Sequence, residues 1–345
     1  MMGITRCPKP MHIKQIWSYI PKFVVPVREL SEHLGLKQAQ TKVLEKIHGL
    51  KQVPQDKDGD LTKLLGRVLA QVVNSPTVVP SSIKYIIYCH TIQENFPFPM
   101  KVLQGLKQAY GMHHAIAFSL TQQNCASGLI ALDVAATLLP SLEEDDHILI
   151  VTGEKTFSPI VQLIPNTTVM GEAAAAILVG KSGPGSRMMG LTNVTLGQFC
   201  NVLTGDPETL KEFQEIYTPQ LCDVIHEAID GAGLTLEDIR YIVPHNVNLS
   251  SWKKVAARLS YPLERVYTSN VGEIGHCFCS DPYINLKEIS DQGLLQKDDY
   301  YLLVTVGLGA TFSVAVMQFA EERGDEIDHT VDRIFEKAEA GAYRS

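Results

Sequence analysis

Cys125 is the residue whose position in the sequence points most directly to covalent chemistry. It lies in the segment QQNCASGLIALD, where a strand-like run (AIAFSL, 115–120) gives way to an apolar, helix-like run. A thiol at the N-terminus of a helix lies among unpaired N–H groups, at the positive end of the helix dipole, and both stabilise its thiolate. The small residues that follow leave room for a substrate to approach the sulfur. The alternative is a buried structural cysteine, the commonest fate of a free cysteine.

His245 and Asn248 form a second group of candidates in the later part of the chain. His245 follows a strand-like apolar run and opens the segment HNVN, which places Asn248 three residues further on. A histidine at the carboxyl end of a strand suits a polar site that faces a cleft. A surface histidine beside a helix is the alternative.

His276 and Asp281 lie five residues apart in the segment GEIGHCFCSDPYINL. A carboxylate that orients a histidine, which in turn serves a nucleophile, is the general arrangement of a catalytic triad. Asp281 could also cap a helix that begins at Pro282, because Asp at the N-cap with Pro next is a common helix start. The two roles are compatible.

A glycine-containing turn, Gly307-Leu308-Gly309, follows another apolar run. Its backbone N–H groups, together with that of Cys125, could form an oxyanion hole. A plain turn between two strands is the alternative.

The segments that position these residues occur twice in the chain. SSIKYIIYCHT (81–91) resembles EDIRYIVPHNV (237–247), and DDHILIVTG (145–153) resembles DDYYLLVTVG (298–307). Two matched segments in the same order indicate a duplicated unit. The offset between residues 145 and 298 carries Cys125 to position 278, inside the segment that contains His276. Equivalent loops of two related halves meet at the symmetry axis, so we expect Cys125 and His276 to face one cavity.

Strand-like and helix-like runs alternate in each half, which predicts an α/β layered fold. The expected strands are Tyr85–Cys89, 115–120, Ile148–Thr152, 173–180, Tyr241–Pro244, Leu302–Thr305 and 313–319, and the expected buried helix is Ser127–Leu139. The segment GKSGPGSR (180–187) is the expected linker. The sequence thus predicts an N-terminal half at 1–182, a C-terminal half at 183–319 and a charged extension at 320–345 that takes no part in catalysis.

Composition and charge exclude several classes of protein. The 345 residues are 45% hydrophobic with a net charge of −8, whereas nucleic-acid binders normally carry a basic balance. No apolar run reaches the ~18–20 residues of a membrane span, and the first residues do not read as a secretory signal. Seven scattered cysteines are therefore expected to be free thiols in a reducing cytoplasm. Cys277 and Cys279 are too close together for the usual zinc pattern, so no metal site is expected.

Over about residues 10 to 319 the sequence resembles one family, the β-ketoacyl-ACP synthase III group of the thiolase superfamily. Four motifs, found in the same order as in that family, carry the resemblance. The motifs are the Cys125 segment NCASGLIALDVA, MGEAAAAILVG (170–180), HNVN (245–248) and GLGATFSVAVMQF (307–319). The resemblance implies a duplicated, five-layer αβαβα thiolase-like fold and a homodimer. It also implies substrates carried on coenzyme A or acyl carrier protein, with no further cofactor.

The sequence departs from the condensing members of that group at Gly275-His276, where those members have Gly-Asn. In having a histidine at this position, the sequence resembles the branch of the group that transfers acyl groups or loads starter units in polyketide and related natural-product pathways. There the residues matching Cys125, His276 and Asp281 act as a triad.

The donor is expected to be a carrier protein. The stretch that binds coenzyme A in the family corresponds to TKVLEKIHGLKQVP (41–54), which lacks the tryptophan expected to stack on adenine. This favours an acyl or peptidyl carrier protein as donor, although acyl-CoA stays possible. Lys253, Lys254 and Arg258 could contact such an acidic carrier, or could simply form a solvated helix face.

The sequence therefore predicts an acyltransferase. Cys125 would take an acyl group from a thioester, and His276, oriented by Asp281, would deprotonate a hydroxyl, amine or thiol acceptor. His245 and Asn248 would polarise the thioester carbonyl or help to bind the pantetheine arm. Two alternatives remain open: a decarboxylative condensing enzyme that forms a carbon–carbon bond, and a non-catalytic partner that only binds an acylated carrier.

Overall fold

The computed structural model of the chain describes residues 4–6, 11–57, 59–92, 102–202 and 207–320. Within the predicted C-terminal extension, only Ala320 belongs to these described residues.

The strands of the described residues are β1 Ile4–Arg6, β2 His12–Tyr19, β3 Val24–Pro26, β4 Gln52–Pro54, β5 Ile83–Cys89, β6 Ile116–Leu120, β7 His147–Gly153, β8 Leu163–Ile164, β9 Thr168–Val169, β10 Ala174–Gly180, β11 Ser186–Thr195, β12 Ile239–Pro244, β13 Tyr300–Gly307 and β14 Thr311–Phe319. The α-helices are α1 Val27–Leu30, α2 Gln38–Lys46, α3 Leu61–Asn74, α4 Val102–Ala109, α5 Ser127–Leu138, α6 Pro159–Gln162, α7 Pro207–Gly231, α8 Leu249–Leu259, α9 Val271–Ile274 and α10 Asp281–Asp291. The strands and the buried helix expected from the sequence are all present, with ends that differ by a few residues.

The strand order repeats the duplication that the sequence shows. One path of paired strands runs β12-β13-β14-β11-β2-β10-β7-β5-β6. Its first half, β2-β10-β7-β5-β6, has the same order as β11-β14-β13-β12 in the second half, and a parallel bridge from Ile242 to Val266 occupies the place of β6. The two halves join where β11 pairs with β2 at two positions, Ser186 with Ile13 and Arg187 with His12. Residues 181–185 of the predicted linker connect β10 to β11, whereas Gly180 ends β10 and Ser186 and Arg187 begin β11. The exact domain boundaries stay a prediction.

Three apolar clusters arrange these elements in five layers. Helices α5 and α10 share one cluster with the inner faces of strands from both halves. Helices α3 and α4 cover the outer face of β5, β7 and β10, and α7 and α8 cover the outer face of β12, β13 and β14. The order helix, sheet, helix, sheet, helix is the αβαβα arrangement expected from the resemblance.

Helix α5 is apolar nearly all round because it lies between the two sheets. Leu129, Ala131, Leu132 and Ala135 are each fully buried in the central cluster. Burial of a leucine side chain stabilises the fold by roughly 1.5–3 kcal/mol. The window Asn124–Ser141 is long and apolar enough to pass as a membrane span, contrary to the expectation that no run is. However, 56% of that window is buried inside the protein, as a core helix requires.

Candidate active site

The loop after β6 places Cys125 at the N-terminal end of the central helix. Gln122 (φ 72°) and Asn124 (φ 48°) adopt left-handed backbone conformations on either side of Gln123. Asparagine tolerates this region better than most residues. A 3₁₀ turn, Asn124–Ala126, then leads into α5 at Ser127. The sulfur of Cys125 therefore lies at the start of the helix, where the sequence predicts it, and the side chain is 4% exposed.

Cys125, His276 and Asp281 form a continuous hydrogen-bonded row. His276 Nε2 lies 3.2 Å from Cys125 Sγ, and His276 Nδ1 lies 2.5 Å from Asp281 Oδ2. All three side chains are buried. The contact between residues so far apart in the chain is the one that the repeat offset predicts. The three have the geometry of a nucleophile, a base and a residue that orients the base.

Asp281 is fixed by backbone groups of two different loops. Its Oδ2 accepts the N–H of Asn246 at 2.6 Å, and its Oδ1 accepts the N–H of Cys277 at 2.7 Å. The N-cap residue of α10 is Ser280, and its side chain makes no cap hydrogen bond. The alternative that Asp281 is the N-cap of this helix is therefore wrong.

The environment of His276 favours its protonated form. Burial alone would lower the pKa of His276, but the Asp281 carboxylate, then the Cys125 sulfur and hydrogen bonds to both, raise it to about 10. Hydrogen bonding to the charged form and a nearby opposite charge both act in this direction. At neutral pH, His276 therefore holds a proton that its Nε2 can donate to the sulfur.

His245 lies beside His276, but its pKa is shifted in the opposite direction. The ring centroids of the two histidines are 5.7 Å apart. Burial and the neighbouring His276 lower the pKa of His245 to about 3, so it is neutral. Its Nδ1 lies 3.4 Å from the carbonyl of Val304, which can only accept, and its Nε2 lies 3.4 Å from the hydroxyl of Tyr217. The proton is accordingly assigned to Nδ1, and Nε2 accepts from Tyr217.

Asn248 has a structural role that the sequence reading did not weigh. It is the N-cap of α8, with Oδ1 accepting the N–H of Ser251 at 2.7 Å and the hydroxyl of Ser250 at 2.9 Å. Its amide nitrogen donates to the carbonyl of Thr167 at 3.2 Å. These contacts describe a cap, and they give no support to the predicted role in polarising a thioester, which stays a prediction.

The turn Gly307-Leu308-Gly309 lies directly against the nucleophile loop. A Cβ at Gly307 would stand 1.9 Å from the carbonyl oxygen of Gln123, so only glycine fits there. The side-chain amide of Asn124 donates to the carbonyl of Leu308. The turn and the loop are thus in contact as an oxyanion hole would require, and the role of their N–H groups stays a prediction.

The basic side chains predicted to meet a carrier protein are all solvent-exposed. Lys253, Lys254 and Arg258 lie on the outer face of α8. Helix α8 begins four residues after His245 in the chain, which places this face near one end of the site.

Three further residues of the site are not predicted from the sequence. Thr91 Oγ1 donates to Cys125 Sγ at 3.6 Å, Glu154 accepts the backbone N–H of Thr91 at 2.7 Å, and Tyr217 bonds His245. Thr91 is the second residue after β5 and Glu154 is the first after β7, and polar residues at the carboxyl ends of neighbouring parallel strands are a recognisable signal. Tyr217 lies within α7, and no sequence signal distinguishes it.

Comparison with known proteins shows that the chain is similar to synthases of one type. The family model for the C-terminal domain of 3-oxoacyl-[acyl-carrier-protein (ACP)] synthase III matches residues 229–319. The beta-ketoacyl-[acyl-carrier-protein] synthase III of Aquifex aeolicus is 22% identical over 278 residues, which cover 79% of this chain and 88% of the relative. The enzyme of the same name from Rhizorhabdus wittichii is 26% identical over 279 residues, covering 76% and 85%.

The chain is a β-ketoacyl-ACP synthase III-like protein. A solved structure that it resembles is that of the acyltransferase ChlB3, with a TM-score of 0.79 and 19% identity over 90% of this chain and 98% of that one. This likeness shows the thiolase-like fold. The coarse prediction of fold and group is confirmed, and the reaction has to be inferred from the site.

Proposed function

We propose that the protein is an acyltransferase that carries an acyl group on Cys125 and passes it to a hydroxyl, amine or thiol. The observation that carries the proposal is the buried row from Cys125 Sγ through His276 to Asp281, with separations of 3.2 and 2.5 Å. Such a row supplies a nucleophile and a base that changes its protonation state during the cycle.

In the first half-reaction the Cys125 thiolate bonds to the carbonyl carbon of the donor thioester. The bond from that carbon to the pantetheine sulfur then breaks. The departing sulfur takes the proton from Nε2 of His276, so the donor leaves as a neutral thiol and His276 becomes neutral. The raised pKa of His276 explains why that proton is present at the start of the cycle.

In the second half-reaction the neutral His276 acts as the base. Its Nε2 accepts the proton of the acceptor as the acceptor's oxygen, nitrogen or sulfur bonds to the acyl carbon. The bond to Cys125 breaks, and the thiolate–imidazolium pair is restored. Asp281 stabilises the imidazolium in both half-reactions because its carboxylate is held by backbone N–H groups and cannot turn away.

A carrier protein is the proposed donor. The support is the exposed basic face of Lys253, Lys254 and Arg258, which suits an acidic partner. The curated relatives are named after their use of an acyl carrier protein. The condensing members have Asn where this chain has His276, and this difference supports a role of the protein in natural-product assembly.

A homodimer is proposed because β6 ends the sheet of the described residues with an apolar edge. Ile116 on this strand is 58% exposed. Edge strands that keep exposed apolar side chains are normally covered by another chain. Ile116→Lys should shift the protein from dimer to monomer in size-exclusion chromatography with light scattering. A dimer that persists at micromolar concentration would reject this edge as the interface.

Decarboxylative condensation is the second candidate, and the names of the curated relatives favour it. The adjacent rings of His245 and His276 would then both face an enolate. One product, carbon dioxide, is enough to distinguish the two candidates. Condensation releases carbon dioxide from a malonyl thioester in a His276-dependent reaction, whereas transfer to oxygen, nitrogen or sulfur releases none.

The direct test of the proposed nucleophile is intact-mass spectrometry after incubation with a panel of acyl-CoA and acyl-carrier thioesters. We expect an adduct on the wild type and on Cys200→Ala, which removes an exposed free thiol, but none on Cys125→Ala. An adduct that persists in Cys125→Ala would overturn the assignment. The absence of an adduct with every donor would favour a non-catalytic, carrier-binding protein.

A further inference from the structure

Thr91 contacts the sulfur that is proposed to carry the acyl group. It is the second residue after β5, and its hydroxyl donates to Cys125 Sγ across 3.6 Å, a normal separation for a large acceptor such as sulfur. His276 approaches the same sulfur at 3.2 Å. The sulfur therefore has two donors, and only one of them was anticipated from the sequence.

A buried carboxylate fixes the position of Thr91. Glu154 follows β7, is 1% exposed, and accepts the backbone N–H of Thr91 at 2.7 Å and that of Ile92 at 2.8 Å. Two bonds to consecutive N–H groups fix the backbone at Thr91 and thus the place from which its hydroxyl reaches the site.

Two other acceptors compete for the same hydroxyl proton. Cys279 Sγ lies 3.8 Å from Thr91 Oγ1, but Cys279 donates its own proton to the carbonyl of Asn124 at 3.3 Å. Burial, then the charges of Glu154 and Cys125, raise the pKa of Cys279, so it stays a neutral thiol and a weak acceptor. Glu154 also attracts the hydroxyl, because each of its oxygens keeps a lone pair beside the backbone N–H that it accepts. The hydroxyl nevertheless lies within hydrogen-bond distance of the Cys125 sulfur, and a thiolate is a charged and therefore strong acceptor.

We propose that Thr91 is a further catalytic residue, whose hydroxyl donates a hydrogen bond to the Cys125 thiolate in its attacking and its leaving forms. Glu154 is the positioning residue behind it. The bond is strong while the sulfur is charged and weak once the sulfur is part of a thioester. Thr91 thus favours the thiolate before acylation and again when the acyl group departs. This inference deepens the proposed function and rests on it.

The test measures the rate at which iodoacetamide alkylates Cys125, with peptide mapping to identify the site. This readout reports the thiolate and does not require the proposed substrate, so its result is separate from the success of acyl transfer. Loss of one hydrogen bond to a charged sulfur should slow alkylation of Thr91→Val about tenfold. Thr91→Ser keeps the hydroxyl and should recover most of the wild-type rate. Thr305→Val, which removes a buried hydroxyl without a hydrogen-bond partner among the described residues, should leave the rate unchanged.

Three results would overturn the proposal. Wild-type alkylation in Thr91→Val would show that the hydroxyl serves Glu154 or Cys279 instead. Equal rates in Thr91→Ser and Thr91→Val would assign the effect to the methyl group. The third result concerns Cys279→Ala, which keeps Thr91 intact. In this variant Cys125 should be alkylated at the wild-type rate, and a several-fold faster alkylation would show that Cys279 holds the Thr91 hydroxyl in the native protein.

Discussion

Replacement of Asp281 by asparagine is the perturbation that tests the electrostatics of the triad. The carboxylate accepts three hydrogen bonds, from His276 and from the backbone N–H groups of Asn246 and Cys277. An amide of the same shape keeps one oxygen and loses the charge, and its nitrogen cannot accept an N–H. The variant should fold, but it should no longer stabilise the imidazolium.

The size of the effect follows from the pKa of His276. Burial opposes the charge, yet Asp281 first and Cys125 next raise the pKa from 6.5 to about 10, which corresponds to about 5 kcal/mol in favour of the imidazolium. Asp281 is the larger of the two favourable partners, so its loss removes about 3 kcal/mol. The equilibrium constant for forming the thiolate–imidazolium pair should then fall about 100-fold.

Single-turnover acylation at pH 7, followed by intact mass, measures the consequence of this loss as a rate. We expect Asp281→Asn to form the acyl adduct about 100-fold more slowly and to transfer it to an acceptor at least as poorly. The control is the melting temperature, which shows whether the fold survives. Acylation within threefold of wild type, in a folded variant, would refute the role of Asp281 as the partner that holds His276 protonated.

Further predictions concern packing, pH and donor binding. Gly307→Ala places a Cβ 1.9 Å from a backbone oxygen, which should cost about 3 kcal/mol and abolish acylation, whereas Gly105→Ala, in an open helical position, should stabilise by about 0.5–1 kcal/mol in urea unfolding. Burial raises the pKa of Glu154 from 4.5 to about 7 against the N–H groups of Ile92 and Thr91. The folded state thus binds its proton more tightly, so stability should fall from pH 4.5 to 7 in the wild type. That slope should vanish in Glu154→Gln, and an unchanged slope would contradict the assignment. Charge reversal of Lys253 and Lys254 should raise KM for an acyl carrier donor about tenfold at low salt and leave KM for an acyl-N-acetylcysteamine unchanged; equal effects on both would reject the docking face.

The duplication is the reason why so much of the fold and of the triad could be predicted from the sequence. Two related halves place equivalent loops together, so Cys125 could be matched with His276 without a structure. Buried parallel strands and an apolar helix between sheets also leave periodic patterns that survive in the sequence. Repeated segments and periodic apolar patterns depend on the order of residues along the chain, so they can be recognised in the sequence alone.

Contacts that depend on side-chain direction were harder to predict. The HNVN motif predicts that Asn248 polarises the thioester carbonyl or helps to bind the pantetheine arm, although an asparagine before a helix is equally a cap, and the structure shows the cap. Tyr217 reaches His245 because of the angle at which α7 crosses the second half. Thr91 and Glu154 each follow a predicted strand, but their contact depends on the side-by-side pairing of β5 with β7.

The most direct test of the proposed reaction uses the acyl-enzyme itself. Cys125 is first acylated, free donor is removed, and the adduct is mixed with hydroxyl, amine or thiol acceptors or with a malonyl thioester. Product mass and released carbon dioxide are then recorded. We predict that the adduct is discharged to an oxygen, nitrogen or sulfur acceptor without carbon dioxide, at a rate that depends on His276 and Asp281. Discharge only to the malonyl thioester, with one carbon dioxide per turnover, would contradict acyl transfer and establish condensation.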